Sequence, residues 1–204
     1  AILHHVVTRK SAFIRKAAGT GNDEQIVAAN IDTVFICMSL NHDFNLRRIE
    51  RYLGVAWDSR AIPVIVLTKA DLCDDLPQKL LEIDAVACGV DVLVTSSMSV
   101  DGYLSIRKYT GSGQTIALIG SSGVGKSTLI NRLIGENTLE TGEIGNDDKG
   151  RHTTTRRELI VLLSGGVVID TPGMRELGIE SADLSKTFTD IDELAAMCKF
   201  HDCT

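Results

Sequence analysis

From Asp32 onward, short apolar runs alternate with segments whose apolar residues recur at helical spacing. The runs cover residues 34–38, 63–67, 90–94, 116–119 and 167–169. Continuous runs of this kind suit strands covered on both faces, and their alternation with helices is the mark of βα units around a mostly parallel sheet. Between the first two runs, residues 45–56 place Leu46, Ile49 and Leu53 on one helical face, with Arg47, Arg48, Glu50 and Arg51 expected to face away. Residues 126–135 repeat the pattern with Leu129, Ile130, Leu133 and Ile134. Residues 159–163, closed by Ser164-Gly165-Gly166, read with 167–170 as an antiparallel hairpin at the sheet edge.

Two segments break this rhythm. Residues 1–29 carry the basic pairs Arg9-Lys10 and Arg15-Lys16 and read as the last part of a preceding module, whereas residues 181–204 read as the start of a following one. The fold expectation is a doubly wound α/β domain over residues 30–180 with a fragment on either side. Composition agrees with a soluble globular protein: 44% of the 204 residues are hydrophobic and 24% charged. No run reaches the ~20 apolar residues that a membrane-spanning helix requires, and the first residues lack a secretory pattern, so a cytoplasmic protein with no membrane partner is expected. The net charge of −6 excludes coating nucleic acid by bulk attraction and leaves only regional basic patches for that purpose. Cys37, Cys73 and Cys88 are scattered, without the spacing of a disulfide framework, and read as small buried hydrophobes.

The chemistry is concentrated at strand ends. Gly120-Ser121-Ser122-Gly123-Val124-Gly125-Lys126-Ser127 matches G-x-x-x-x-G-K-[ST], preceded by an apolar run and followed, from Thr128, by an amphipathic helix. Its glycines let backbone N–H groups turn inward around phosphates, the helix start adds its positive dipole end, Lys126 supplies a point charge, and Ser127 offers a hydroxyl to Mg²⁺.

The base is read elsewhere. Thr68-Lys69-Ala70-Asp71 matches the [N/T]-K-x-D pattern, in which one carboxylate accepts from the guanine N1–H and N2 amino group while the Lys69 stem packs over the purine. Alone, it is equally a strand-to-helix turn capped by Asp71. Thr95-Ser96-Ser97, after the next run, occupies the place of an S-A-x loop whose N–H meets the guanine O6, with Ser97 departing from Ala. Asp170-Thr171-Pro172-Gly173 matches D-x-x-G, Asp170 holding Mg²⁺ through water and the Gly173 amide reaching the γ-phosphate. Thr153-Thr154-Thr155 lies where a switch threonine would close over the metal. In ordinary GTPases the phosphate loop comes first. Here the base motifs at 68–71 and 95–97 precede it, so the order is circularly permuted, and the segment after D-x-x-G runs directly into residues 181–204.

With that order, the strings Arg9-Lys10-Ser11-Ala12-Phe13, Asn41-His42-Asp43-Phe44-Asn45-Leu46-Arg47-Arg48, Gly150-Arg151-His152-Thr153-Thr154 and Asp170-Thr171-Pro172-Gly173-Met174-Arg175-Glu176 resemble the ribosome-small-subunit-dependent GTPases called RsgA, YjeQ or YloQ. The resemblance spans almost the whole chain. It implies an OB-fold remnant over 1–29, a permuted GTPase domain over 30–180, and the beginning of a zinc-binding helical domain over 181–204. It also implies a GTP/GDP cycle with Mg²⁺ held by Ser127, Thr154 and Asp170, and work on the small ribosomal subunit and its rRNA, as a monomer. Arg9, Lys10, Arg15 and Lys16 would meet rRNA phosphates, although a charge run alone is more often a solvated face. The family's zinc pattern is C-x4-C-x-H-x5-C. Cys198 and Cys203 match its first two positions, His201 lies off it, and the sequence ends at Thr204, so this chain holds a partial site.

Met174 stands where Ras-like enzymes have the Gln that orients the attacking water. The family resemblance implicates His152 in that role, entering when Thr154 seats over the metal. Two other readings remain on sequence grounds: an ATP-using P-loop enzyme, in which Asp71 would not read the base, and a GTP-binding regulatory module with negligible turnover.

Overall fold

The computed structural model describes residues 4–16, 24–96, 101–135 and 158–170. A six-stranded sheet runs in the order β5-β4-β3-β6-β8-β7, from β3 (Thr33–Ser39), β4 (Ile62–Thr68), β5 (Asp91–Val94), β6 (Thr115–Ile119), β7 (Glu158–Val161) and β8 (Val167–Asp170). All neighbours pair in parallel except β7 with β8, the antiparallel edge hairpin expected from the Ser164-Gly165-Gly166 turn. A separate two-stranded ribbon, β1 (Ala12–Lys16) with β2 (Glu24–Ala29), precedes the sheet. It is fastened there by Phe13 in the core and by the Ala12 amide donating to the Ser59 carbonyl at 3.1 Å.

Alternating side chains divide the core into two layers. Val34, Ile36, Met38, Ile65 and Leu67 face one way, toward α1 (Leu46–Asp58) and α2 (Leu76–Val86), where Ile49, Leu53 and Ile83 close the layer. Phe35, Cys37, Val64, Val66 and Leu118 face the other, toward α3 (Asp101–Ile106) and α4 (Lys126–Ile134), with Ile106, Leu129 and Ile130. Burial on both faces is why β3 reads as an unbroken apolar run. β5 is an edge strand, and only Leu93 of its four residues is buried, so the expectation of full coverage fails there.

The helices begin where local chemistry satisfies their first amides. Asn45 caps α1, its side chain accepting from the Arg48 amide at 3.1 Å. The buried stripe Ile49, Tyr52, Leu53 and Ala56 follows at helical spacing. Asp75 caps α2 in the same way, with Pro77 in the first turn. Gly135, at φ +83°, ends α4. One expectation on α1 is corrected. Arg47 is solvated, with 84% of its side chain exposed, but Glu50, paired with it, and Arg48 each retain only 21%, Arg48 because it folds back toward the phosphate loop.

The cysteines also differ from expectation. Cys37 is buried under the phosphate loop, and burial pushes its thiol up to about 12 against the pull of Lys126. Cys73 is partly exposed and Cys88 exposed, so neither is a core residue. A brief iodoacetamide pulse on the native chain is expected to alkylate Cys88 and spare Cys37, which should react only in denaturant. Peptide mass spectrometry reads the order, and equal labelling of the two would contradict the closed core.

Candidate functional site: strand ends around a glycine-rich loop

Parallel β4, β5, β6 and β8 end on one side of the sheet, the side at which open α/β sheets bind ligands. The phosphate loop leaves β6 at Gly120, whose φ of +145° only glycine adopts readily. There the chain runs against β3 so closely that an added Cβ would sit 2.4 Å from the Cys37 carbonyl oxygen. Gly123 and Gly125 also take positive φ, turning the loop into the N-terminus of α4. Lys126 is buried, and its Nζ donates to the Gly120 carbonyl at 2.6 Å and to the Ser121 carbonyl. Ser127 and Thr128 follow in the first turn of α4, both partly exposed, while Ser122 is exposed on the loop and Val124 buried beneath it.

The base corner lies beside this loop. Lys69 is left-handed at φ +56°, which is uncommon for a side chain other than glycine and turns the chain sharply at the end of β4. The short 3-10 turn Ala70–Leu72 then brings Asp71 alongside Ser96, whose hydroxyl donates to the Asp71 carboxylate at 2.5 Å. Backbone bonds lace the two strand ends, with the Thr95 amide on the Leu67 carbonyl at 2.7 Å and the Ala70 amide on the Thr95 carbonyl at 3.1 Å. The 68–71 and 95–96 motifs, separated in sequence, thus share one corner. Thr68 is buried, and its hydroxyl donates to the Val124 carbonyl at 2.5 Å, so this base-motif residue is a bridge between the base strand and the phosphate loop.

Sequence reasoning missed a second bridge. Arg48 donates through Nη1 to Asp43 Oδ1 at 2.9 Å and to Ser121 Oγ at 2.5 Å. Asp43 is held by its amide on Asn41 Oδ1 at 3.2 Å, and the same Asn41 oxygen accepts from the Ser39 hydroxyl at 2.8 Å. The signal was available: Arg48 precedes buried Ile49 and lies one turn before buried Tyr52, a position from which a long side chain reaches the core edge.

Ser127 stands at the start of α4 and Asp170 ends β8, and both are residue types whose hard oxygen atoms suit Mg²⁺. Of Asp170 the structure describes the backbone. Ser97, His152, Thr154, Gly173, Cys198 and Cys203 lie outside the described residues. Among the described residues no cluster of three or more His, Cys, Asp or Glu could hold a metal.

The RsgA GTPase family model matches residues 6–180. The small ribosomal subunit biogenesis GTPase RsgA 2 of Lactiplantibacillus plantarum is 56% identical over 200 residues, covering 98% of this chain and 56% of that protein. RsgA 1 of Listeria innocua is 50% identical over 202 residues, covering 98% and 58%. The chain therefore spans a little more than half the length of these curated relatives. Among solved structures, YjeQ from Thermotoga maritima superposes with a TM-score of 0.63 at 26% identity, covering 85% of this chain and 55% of that one. YloQ, described as a circularly permuted GTPase, shares the fold with a TM-score of 0.57 at 24% identity, covering 97% and 69%. The family match over most of the sequence, the relatives at half identity or more and the mostly parallel sheet agree: this chain belongs to the RsgA GTPase family.

Proposed function

We propose that the chain binds GTP with Mg²⁺, hydrolyses it to GDP and phosphate, and acts in maturation of the small ribosomal subunit, which stimulates the hydrolysis. The observation that carries the nucleotide reading is the pairing of Asp71 with Ser96 in one corner, joined through Thr68 to the phosphate loop. Asp71 accepts from guanine, and adenine lacks the paired donors that would satisfy that carboxylate. Lys126 exchanges its loop carbonyls for phosphate oxygens, adding positive charge where negative charge develops. Ser127, Thr154 and Asp170 would hold Mg²⁺, which would supply positive charge against the phosphates. The ribosomal role is carried by the names of the relatives, small ribosomal subunit biogenesis GTPases.

The finer assignments belong to the same reading. Residues 1–29 end an OB-fold, and the antiparallel β1–β2 ribbon supports this. Arg9 and Lys10, both exposed, join Arg15 and Lys16 in meeting rRNA phosphates. Cys198 and Cys203 supply part of a zinc site in residues 181–204. The protein works as a cytoplasmic monomer, and no helix among the described residues is long and apolar enough to cross a membrane.

His152 orients or deprotonates the attacking water, in place of a Gln that Met174 cannot replace. GTP turnover measured with and without purified small subunits tests this. Wild type should be stimulated, while His152→Ala should bind GTP normally and lose about 100-fold of the stimulated rate. Unstimulated wild-type turnover would remove the ribosomal reading, and full stimulated activity in His152→Ala would remove His152 from catalysis.

A further inference from the structure

We propose that Arg48 is a positioning residue of the phosphate loop, fixing the loop's nucleotide-binding shape by gripping the Ser121 side chain. The inference rests on GTP binding at this loop.

Ser121 is the second residue of the loop and is held from two sides. Its carbonyl accepts from Lys126 Nζ, and its hydroxyl accepts from Arg48 Nη1 at 2.5 Å. The Tyr52 hydroxyl lies beside the same Ser121 side chain; burial pushes the phenol up, and Arg48 and the Ser121 hydroxyl pull it the other way. When Lys126 turns to phosphate oxygens it releases the Ser121 carbonyl. Arg48 then remains as the cation that holds the residue in place.

Arg48 is itself held. Asp43 Oδ1 accepts from Nη1 at 2.9 Å, and the Asn41 side chain fixes the Asp43 amide while accepting from Ser39 at the end of β3. A relay therefore runs from β3 through Asn41, Asp43 and Arg48 to Ser121. Capping of α1 does not require it, because Asn45 already satisfies the Arg48 amide. Asp43 also buries Oδ2 without a hydrogen-bond partner among the described residues, a costly arrangement for a carboxylate whose only work was local. A guanidinium half-buried between Asp43 and Ser121 makes a two-point grip that a lysine ammonium on a flexible stem does not reproduce.

The test is a double-mutant cycle on the whole chain with Arg48→Met, Ser121→Ala and the pair, with Arg48→Lys beside it. Affinities for GDP and a non-hydrolysable GTP analogue are read by calorimetry, with kcat, KM and thermal unfolding measured in parallel. Each single variant should weaken analogue binding about tenfold, as expected for loss of one charge-assisted hydrogen bond. The double should be no weaker than the worse single, and Arg48→Lys should fail to restore affinity. The loss should appear in KM and Kd more than in kcat. If Arg48→Met unfolds, Ser121→Ala alone carries the test, because it leaves the Arg48–Asp43 pair intact. Additive losses, full affinity in Ser121→Ala, or rescue by Arg48→Lys would overturn the proposal. A wild-type chain that binds no guanine nucleotide would remove the GTP reading beneath it.

Discussion

Asp71→Asn is expected to move the chain's preference from GTP to xanthosine triphosphate. The wild-type carboxylate offers two acceptors to the guanine N1–H and N2 amino group. An amide offers one acceptor and one donor, which matches xanthine, where an oxygen replaces the amino group. Losing a hydrogen bond to a charged partner costs about 1.5–3 kcal/mol, so GTP affinity should fall about 10- to 150-fold while xanthosine triphosphate gains. Ser96 sharpens the expectation, because its hydroxyl fixes one Asp71 oxygen and so sets the carboxylate's orientation before any base arrives. Competition between the two nucleotides for the variant measures the switch. Undiminished GTP affinity with no gain for xanthosine triphosphate would remove Asp71 from the base site and revive the reading of the 68–71 motif as a capped turn.

Gly120→Ala is expected to damage both folding and nucleotide binding. The new methyl would stand 2.4 Å from the Cys37 carbonyl oxygen and 3.2 Å from its carbonyl carbon, and both belong to the backbone of the central strand, which cannot swing away. A φ of +145° adds strain for any residue with a Cβ. Steric overpacking costs typically ~1–3 kcal/mol and a sparsely populated backbone conformation ~1–3 kcal/mol. Denaturant unfolding should therefore show a loss of about 2–6 kcal/mol, with the loop displaced from β3 and GTP affinity reduced as well. A variant of wild-type stability and affinity would mean that the loop does not pass this close to Cys37.

The centre of the sheet was readable in the sequence because its strands are buried on both faces and their runs carry no polar interruption; residues 34–38 and 116–119 could hardly be anything else in an α/β rhythm. The motifs of the proposed site stood out because phosphate and guanine chemistry would demand fixed residue types at fixed spacing, and the structure brings those at 68–71, 95–96 and 120–127 together. What escaped was of two kinds. The β1–β2 ribbon and α2 lack a strong periodic signal: Ile14 and Ile26 remain partly exposed, and Ile83 is the one fully buried residue of α2. The Arg48 relay escaped because periodicity places charged residues outward by default, and only tertiary packing reveals that a charged side chain at the margin of the apolar stripe doubles back over the helix N-terminus. Thr68 belongs to the same class, a motif residue whose hydroxyl serves a neighbouring loop.

The position of β3 between β4 and β6 acquires a temporal meaning when the chain is synthesised from its N-terminus. Residues 33–96, which contain the complete described base corner, leave the ribosome before any residue of the phosphate loop. At that stage β3 has β4 on one side only, and the N–H and C=O groups destined for β6 are open along a strand whose seven side chains are all buried in the finished sheet. Release of residues 115–119 closes that edge and places Gly120 against Cys37 in the same event. The glycine-rich loop is thus laid down on a corner that already holds Asp71 and Ser96, whereas in an unpermuted chain the nascent polypeptide meets the two halves in the opposite order.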